Sequence, residues 1–441
     1  MAKKEHDVRR RRKEALRIHL VSLGCAKNLV DSERLLGRFA SVGALVGAPA
    51  ETADVIVINT CGFLAAARDE ARAAISECLV HKAARPDIRI LVMGCFGELD
   101  ADGLRREFPA LDGVFGLGQQ RDVLAASGVA WPGGEGRLLL TPSHTAFLRI
   151  SEGCDNRCAY CLIPTIRGAF RSRSFGDVVA EARDLAAYGV KELNLIGQDT
   201  TLYGSDLSPR STLASLVTEL DRLDGVRWLR ILYTHPAHFG EELVDAYRSL
   251  EHLVPYVDLP LQHLDDEILT RMGRHVTREA CLQLIEHLRA EMPEMVIRTT
   301  FIVGFPGETD VQFGALLDDI QRIRFDHVGA FAFSREPGTP AYSMEGQVPE
   351  GVAQKRVEKL MLLQQRIVAE AAQDQIGRCE DVIVDQWDEQ SGRWIGRTKG
   401  QAPDVDSVTL IDAGENLVHA GDLIRVRITG ADGYDLLADL A

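Results

Sequence analysis

Three cysteines crowd one loop, Arg149-Ile-Ser-Glu-Gly-Cys154-Asp-Asn-Arg-Cys158-Ala-Tyr-Cys161, with three residues between the first pair and two between the second. Thiolates suit soft metals and iron–sulfur clusters. Three ligands on so short a loop leave the fourth iron of a 4Fe-4S cube without a protein ligand. A cluster that must bind and act on a substrate needs such an open iron. Two plainer readings stand beside this one. A zinc site pairs its ligands and closes with a fourth Cys or His, and Cys158 with Cys161 could be half of one. A set of structural thiols would need burial, and this loop is too polar to bury all three.

Three more cysteines lie far apart in sequence but share a context. The apolar runs Ile18-His-Leu-Val-Ser-Leu-Gly-Cys25, Val55-Ile-Val-Ile-Asn-Thr-Cys61 and Ile90-Leu-Val-Met-Gly-Cys95 each end in Cys, at intervals of 36 and 34 residues. Helical patterns over 29–42 and 63–84 separate the runs. Strand, helix and strand at this spacing form right-handed parallel units. The carboxyl ends of such strands share one edge, where ligands bind. Cys25, Cys61 and Cys95 should therefore converge as a second metal site. The other reading is three buried structural thiols at strand ends. Cys78 and Cys281 fall inside helical patterns and Cys379 inside a strand pattern, so these three read as structural. Nine cysteines, an odd number, argue against a disulfide framework and for metal or redox use.

The elements that must position the Cys154 loop alternate regularly. Strand patterns fall near 146–152, 191–197, 228–234, 256–261, 296–303 and 327–333, and helical patterns near 175–188, 211–223, 240–250, 277–291, 309–323 and 350–374. Six such βα units predict a partial (β/α)6 barrel, open on one side, with its site at the carboxyl mouth. The residues at those strand ends are polar or Gly: Gly197-Gln198-Asp199, His235-Pro236, Gln262-His263 and Gly304-Phe-Pro-Gly307. His235 and His263 could equally be wall residues, and Gly304–Gly307 a simple turn.

The fold class that follows is α/β and multidomain: an N-terminal parallel α/β domain, the partial barrel, and a small C-terminal antiparallel β-barrel from five short strand patterns after residue 375. The expected divisions are a disordered basic tail at 1–16, domains at 17–130, 146–374 and 375–441, and a linker at 131–145 marked by Trp131-Pro-Gly-Gly-Glu-Gly136. The chain of 441 residues carries a formal net charge of −15. That balance disfavours bulk attraction to phosphate backbones. No stretch of eighteen apolar residues suggests a membrane span, and the basic start lacks an apolar signal core, so a cytoplasmic location is expected.

With the Tyr160, Pro164 and Arg167-Gly168 around it, the Cys154/Cys158/Cys161 loop resembles the radical S-adenosylmethionine (SAM) superfamily. From about Ile18 onward the whole chain resembles the methylthiotransferase family, on Leu23-Gly-Cys25-Ala-Lys-Asn28, Asn59-Thr-Cys61-Gly62, Gly94-Cys95, the central loop and Phe301-Ile-Val-Gly-Phe-Pro-Gly-Glu308. The resemblance implies a cluster domain, a radical SAM barrel and a terminal TRAM domain. It implies two 4Fe-4S clusters, an auxiliary one on Cys25, Cys61 and Cys95 and a catalytic one on Cys154, Cys158 and Cys161. It also implies SAM as cofactor, with Tyr160, Gln198, Gln262 and Gly304 as expected contacts.

Within the family the chain is similar to the branch that modifies the β-carbon of an aspartate in small-subunit ribosomal protein S-twelve. The stretches are Gly197-Gln198-Asp199-Thr200 with Tyr203-Gly204, Asp258-Leu-Pro-Leu-Gln262-His263 and Gly400-Gln-Ala-Pro-Asp404-Val-Asp406. Tyr233-Thr-His235-Pro236 also fits the branch acting on tRNA adenosine, which remains the alternative. In this chemistry a 5′-deoxyadenosyl radical removes a hydrogen, and the auxiliary cluster holds the sulfur, methylated by a second SAM. A more distant alternative is a non-catalytic iron–sulfur electron carrier, which would close each cluster with four cysteines. The expected partners are the ribosomal protein, free or assembled, and an electron donor such as flavodoxin or ferredoxin. Residues 375–441 hold six Lys/Arg against thirteen Asp/Glu, a net −7, which complements a basic protein better than RNA. Asp404 and Asp406 are the acidic positions expected to meet that partner.

Overall fold

The run Val55–Thr60 is buried along its whole length at the centre of a five-stranded parallel sheet. Ile56 and Ile58 pack with Ala71 and Ile75 of the helix Ala65–Ala84, while Val55 and Val57 pack with Leu35 and Phe39 of the helix Ala26–Ser41. Helices on both faces explain why this strand is apolar at every step but its last two. The strand order is Leu45–Val46, Arg17–Ser22, Val55–Thr60, Arg89–Gly94, Gly113–Val114, every pair parallel. Two helices that the sequence pattern did not suggest, Cys95–Glu107 and Gln120–Ala126, complete this first unit, which ends at Leu138. The computed structural model describes residues 15–134, 136–414 and 416–441; the expected basic tail lies outside them except for residues 15 and 16.

The second unit runs from Leu139 to Ala441. Its larger sheet has six parallel strands in the order His327–Ala332, Val296–Val303, Leu253–Asp258, Trp228–Ile231, Glu192–Ile196, Thr145–Arg149. Leu193, Leu195, Leu229, Ile231, Val257 and Ile297 join the core formed with the surrounding helices. Glu192, Asn194, Arg230, Tyr256 and Arg298 alternate with them and occupy the other face. This is the expected open barrel. Five further strands, Cys379–Asp388, Arg393–Thr398, Thr409–Asp412, Leu423–Asp432 and Asp435–Leu440, close into the small barrel. Its pairings are antiparallel except for Thr409–Asp412 against Asp435–Leu440, which run parallel.

Buried charges join the two barrels. Arg397 of the small barrel reaches Glu192 at 2.7 Å and Asp385 at 2.8 Å, and Glu192 also meets Arg230 at 3.2 Å. His144 lies 2.8 Å from the same Asp385. A second group centres on Asp406, which pairs with Arg298 at 3.2 Å and accepts the Tyr256 hydroxyl at 2.6 Å. The Asp406 side chain is only 1% exposed. It therefore cannot be the surface contact that the sequence suggested; its charge is spent inside the chain, on Arg298. Asp404, two residues earlier, is exposed as expected and holds a left-handed backbone with φ +66°.

Candidate active site and auxiliary cysteine site

The strand Thr145–Arg149 runs into a short hairpin in which Ser151–Glu152 pairs with Arg171–Ser172. Gly153 has φ +73°, and a Cβ there would stand 2.0 Å from the Ala169 carbonyl, so only glycine lets the hairpin close under Cys154. Backbone bonds then pin the loop: Cys154 N–H to Gly168 O at 3.1 Å, Cys161 N–H to Cys158 O at 3.1 Å, and Ala159 N–H to Met272 O at 2.8 Å. The Ile163 N–H points at Cys161 Sγ from 3.4 Å. Cys154 and Cys158 are buried and Cys161 is half-buried.

Burial raises the Cys154 thiol and pushes Cys161 up to about 12. Such thiols stay protonated near neutrality unless a cation takes the proton's place, which is how iron binds to cysteine. One cation already stands beside them. Arg274, buried, places Nη1 3.9 Å from Cys158 Sγ while Nη2 donates to the Pro260 carbonyl at 2.5 Å.

Two acidic groups flank the loop. Glu152 meets Arg149 at 2.9 Å and Arg167 at 2.8 Å, and accepts from Gln198 Nε2 at 2.9 Å. Burial works to raise its carboxyl, but the two guanidiniums hold it below the ordinary value. Asp199 accepts from Asn156 Nδ2 at 2.8 Å and His238 Nδ1 at 2.8 Å. Burial works to raise its carboxyl, but the bonds from His238 and the Thr201 hydroxyl hold it below the ordinary value. His235 stacks on His238 with ring centroids 4.8 Å apart. Burial, then the charge of Arg274, drops His235 to about 3, so it is neutral, and its Nδ1 accepts the Ala237 N–H at 3.2 Å.

The residues expected to contact a cofactor are placed as follows. Tyr160 lies against the Cys158 and Cys161 thiols and Arg274, its hydroxyl raised by burial. Gln198 is tied to the loop through Glu152, and its Oε1 is buried without a partner. Gln262 (φ +69°) bridges to the strand Val296–Val303, giving its N–H to Thr300 O and taking that of Ile302, and its Oε1 is also without a partner. Gly304 is committed differently. Its Cβ would lie 2.3 Å from Ala353 Cβ, so the glycine admits the helix Glu350–Gln375, and its N–H goes to Glu308. His263 proves a satisfied wall residue, between Glu308 at 3.4 Å and the Asp265 N–H at 2.9 Å.

Buried polar atoms left over on this mouth, Gln198 Oε1, Gln262 Oε1, Ser151 Oγ and Arg274 Nε, suit a polar ligand beside a thiolate-held cluster. Sequence reading missed Arg274 and Glu152. Arg274 follows Gly273, the left-handed cap of the short helix Asp266–Met272. That glycine was the one available signal, and it marks a helix end rather than a ligand.

In the first unit the three cysteines do sit at neighbouring strand ends. Register sets Ser22 beside Asn59 and Thr60 beside Gly94, so the three strands finish nearly level. Cys25 caps the helix Ala26–Ser41, Cys61 follows Thr60 directly, and Cys95 begins the next helix. A Cβ on Gly24 (φ +95°) would come within 2.8 Å of Cys61 Cβ, and one on Gly62 within 2.9 Å of the Cys95 carbonyl carbon. Glycines thus let the three cysteine segments touch. Cys78 and Cys281 are buried in hydrophobic cores, where burial lifts each thiol to about 11.

Comparison with known proteins agrees with this geometry. The model of the radical SAM superfamily matches residues 148–320, that of the uncharacterized protein family UPF0004 residues 17–116, and that of the TRAM domain residues 376–440. Two solved structures of the radical SAM methyltransferase TsrM from Kitasatospora setae share the fold. One, with cobalamin and a [4Fe-4S] cluster, has TM-score 0.54 and 18% identity and covers 74% of this chain and 77% of that one. The other, with tryptophan and a SAM analogue, has TM-score 0.55 and 16% identity over 83% and 78%. An open parallel barrel with three cysteines on the loop after its first strand is thus a radical SAM domain.

Curated relatives narrow the class. The "Ribosomal protein uS12 methylthiotransferase RimO" of Pelotomaculum thermopropionicum is 41% identical over 96% of this chain and 99% of its own length. That of Clostridioides difficile is 37% identical over 96% and 99%. The chain belongs to the family of ribosomal protein uS12 methylthiotransferases.

Proposed function

We propose that this chain transfers a methylthio group to the β-carbon of an aspartate in ribosomal protein uS12. It does so with SAM and two 4Fe-4S clusters, one held by Cys154, Cys158 and Cys161 and the other by Cys25, Cys61 and Cys95. The observation that carries the reading is the pair of cysteine triads, each at the carboxyl edge of its own parallel sheet. When bound, the cluster and SAM supply a hydrogen-abstracting radical, which an aspartate β-carbon needs because its C–H is not acidic.

The chain's own residues bind and orient. Arg274 offsets thiolate charge at Cys158, and the Arg149–Glu152–Arg167 group fixes the hairpin under Cys154. Gln198, Gln262 and Tyr160 offer polar contacts to SAM, and the buried walls around Asp199 and His235 limit water at the mouth. Flavodoxin or ferredoxin would supply the electron, in the cytoplasm. No described helix is long and apolar enough to cross a membrane. The tRNA and electron-carrier readings are not favoured: the relatives are named for uS12, and the terminal domain is acidic.

The test uses a uS12 peptide deuterated at the β-carbon of its target aspartate. Reduced, reconstituted enzyme should move deuterium into 5′-deoxyadenosine. A product formed with all deuterium left on the peptide would refute hydrogen abstraction at that carbon.

A further inference from the structure

One side chain touches all three segments that carry the auxiliary cysteines. Asn28 lies in the first turns of the helix that Cys25 caps, and it is fully buried. Its Nδ2 donates to Leu23 O at 3.1 Å, the carbonyl just before Gly24-Cys25. The same nitrogen donates to Thr60 O at 3.1 Å, the carbonyl of the peptide that leads into Cys61. Its Oδ1 lies 3.4 Å from Cys95 Sγ. Both amide hydrogens and the amide oxygen are thus each spent on a different cysteine segment.

Asn28 is itself held in place. The Asn59 Nδ2 donates to the Asn28 carbonyl at 2.8 Å and to Ser32 Oγ at 2.9 Å, and Asn59 is fully buried on the strand that ends at Cys61. The backbone closes the circuit, since the Leu23 N–H donates to Asn59 O at 2.9 Å. A Cβ on Gly24 would press to 3.0 Å from Asn28 Nδ2, so the glycine also makes room for the amide.

We infer that Asn28 is the positioning residue of the auxiliary site: its single amide sets the mutual spacing of Cys25, Cys61 and Cys95 so that one cluster can take all three. The physical basis is chemical shape. No other side chain of this size brings two N–H donors from one planar nitrogen to two carbonyls at once. The Oδ1 takes the Cys95 S–H only while that thiol keeps its proton, so in the loaded site the spacing rests on the two carbonyl bonds. Asp has the same outline but would aim a carboxylate at two carbonyls it can no longer satisfy. Ala would leave the buried Thr60 carbonyl and the part-buried Leu23 carbonyl short of a partner. Neighbours that orient metal ligands commonly matter to affinity nearly as much as the ligands do.

The inference rests on the reading that these cysteines hold a cluster, and the experiment separates the two. Asn28→Asp, Asn28→Ala, the triple variant Cys25→Ala/Cys61→Ala/Cys95→Ala and the surface control Ser41→Ala are reconstituted anaerobically as full chains. Iron is counted, and its release to a chelator is timed. Wild type and Ser41→Ala should hold about eight irons, and the triple variant about four. Both Asn28 variants should fall toward four, or lose the auxiliary iron at least about tenfold faster, a change a tenfold-to-hundredfold affinity loss would give. Electron paramagnetic resonance of the reduced protein should show the auxiliary signal weakened or altered. Circular dichroism of the unloaded chains checks the fold, and if Asn28→Ala is unfolded the isosteric Asn28→Asp decides. Asn28 variants with full iron, wild-type release and wild-type spectra would overturn the inference. A triple variant that keeps eight irons would instead overturn the site reading beneath it.

Discussion

Glu192, on the second strand of the open barrel, and Arg397, in the terminal five-stranded barrel, are paired at 2.7 Å with side-chain exposures of 0% and 4%. Arg230, on the neighbouring strand, shares the same carboxylate and donates to the Lys399 carbonyl at 2.8 Å. A terminal domain held by charges buried this deeply is part of the barrel's foundation, not a loosely tethered arm. Removing one partner from a buried pair leaves the other charged and desolvated. Glu192→Gln should therefore destabilise the second unit by about 3–5 kcal/mol. Urea or thermal unfolding would measure it, and a change under 1 kcal/mol would show the joint to be dispensable.

Acid should open the same joint. Glu192 and Asp385 are both lowered even though burial works against it, Glu192 by Arg397 and Arg230, Asp385 by His144 and Arg397. Their folded pKa lies below the unfolded one, so in that window the unfolded chain binds more protons. Their contribution is complete above the ordinary carboxylate pKa and is lost as pH falls through the folded values. The melting temperature should drop on acidification from neutrality to about pH 3, the region where free carboxylates titrate. The double variant Glu192→Gln/Arg397→Met should show a shallower drop, and an identical profile would show that this joint does not set the acid sensitivity.

Asp404 and Asp406 should separate cleanly. Asp406→Lys would set a cation beside Arg298 and strip the Tyr256 hydroxyl of its acceptor, so melting should fall at every salt concentration. Asp404 is exposed, so Asp404→Lys should cost far less than Asp406→Lys, about 1 kcal/mol for putting Lys in a left-handed backbone that suits Asp better. Any effect of Asp404→Lys on modification of uS12 should fade as salt screens it. Equal loss of stability in both variants would contradict the burial difference.

The remaining cysteines give a sharp contrast with the six proposed ligands. Cys78→Ala and Cys281→Ala should keep full iron and cost about 1–2 kcal/mol each, as small buried side chains do. Cys379→Ala, at a half-buried strand start, should cost less. Iron analysis with thermal melts checks all three, and loss of a cluster from any of them would expose a misassigned ligand.

What the sequence made legible was local or periodic. The six barrel strands announced themselves by apolar runs, and Cys154, Cys158 and Cys161 by spacing within one loop. Cys25, Cys61 and Cys95 were readable because a strand–helix–strand period carries each thiol to the same edge. The helix from Cys95 was not, because Gly94-Cys95-Phe-Gly97 opens it without a side-chain cap and the backbone breaks from helix at Asp100 (φ −149°). Contacts across long sequence separations left no pattern at all. Glu192 meets Arg397 from 205 residues away, and Arg274 meets Cys158 from 116. Asp406 looked like surface acid because charge composition counts residues and cannot see that Arg298 and Tyr256 enclose this one.

The proposed function stands or falls on the identity of the acceptor, which intact-mass analysis reads directly. Reduced, reconstituted enzyme with SAM and a sulfur source is given uS12 and total tRNA together, and both are weighed after reaction. The expected result is one added methylthio group on uS12, located to an aspartate by fragmentation, and none on tRNA. A methylthio group on tRNA adenosine with uS12 unchanged would contradict it.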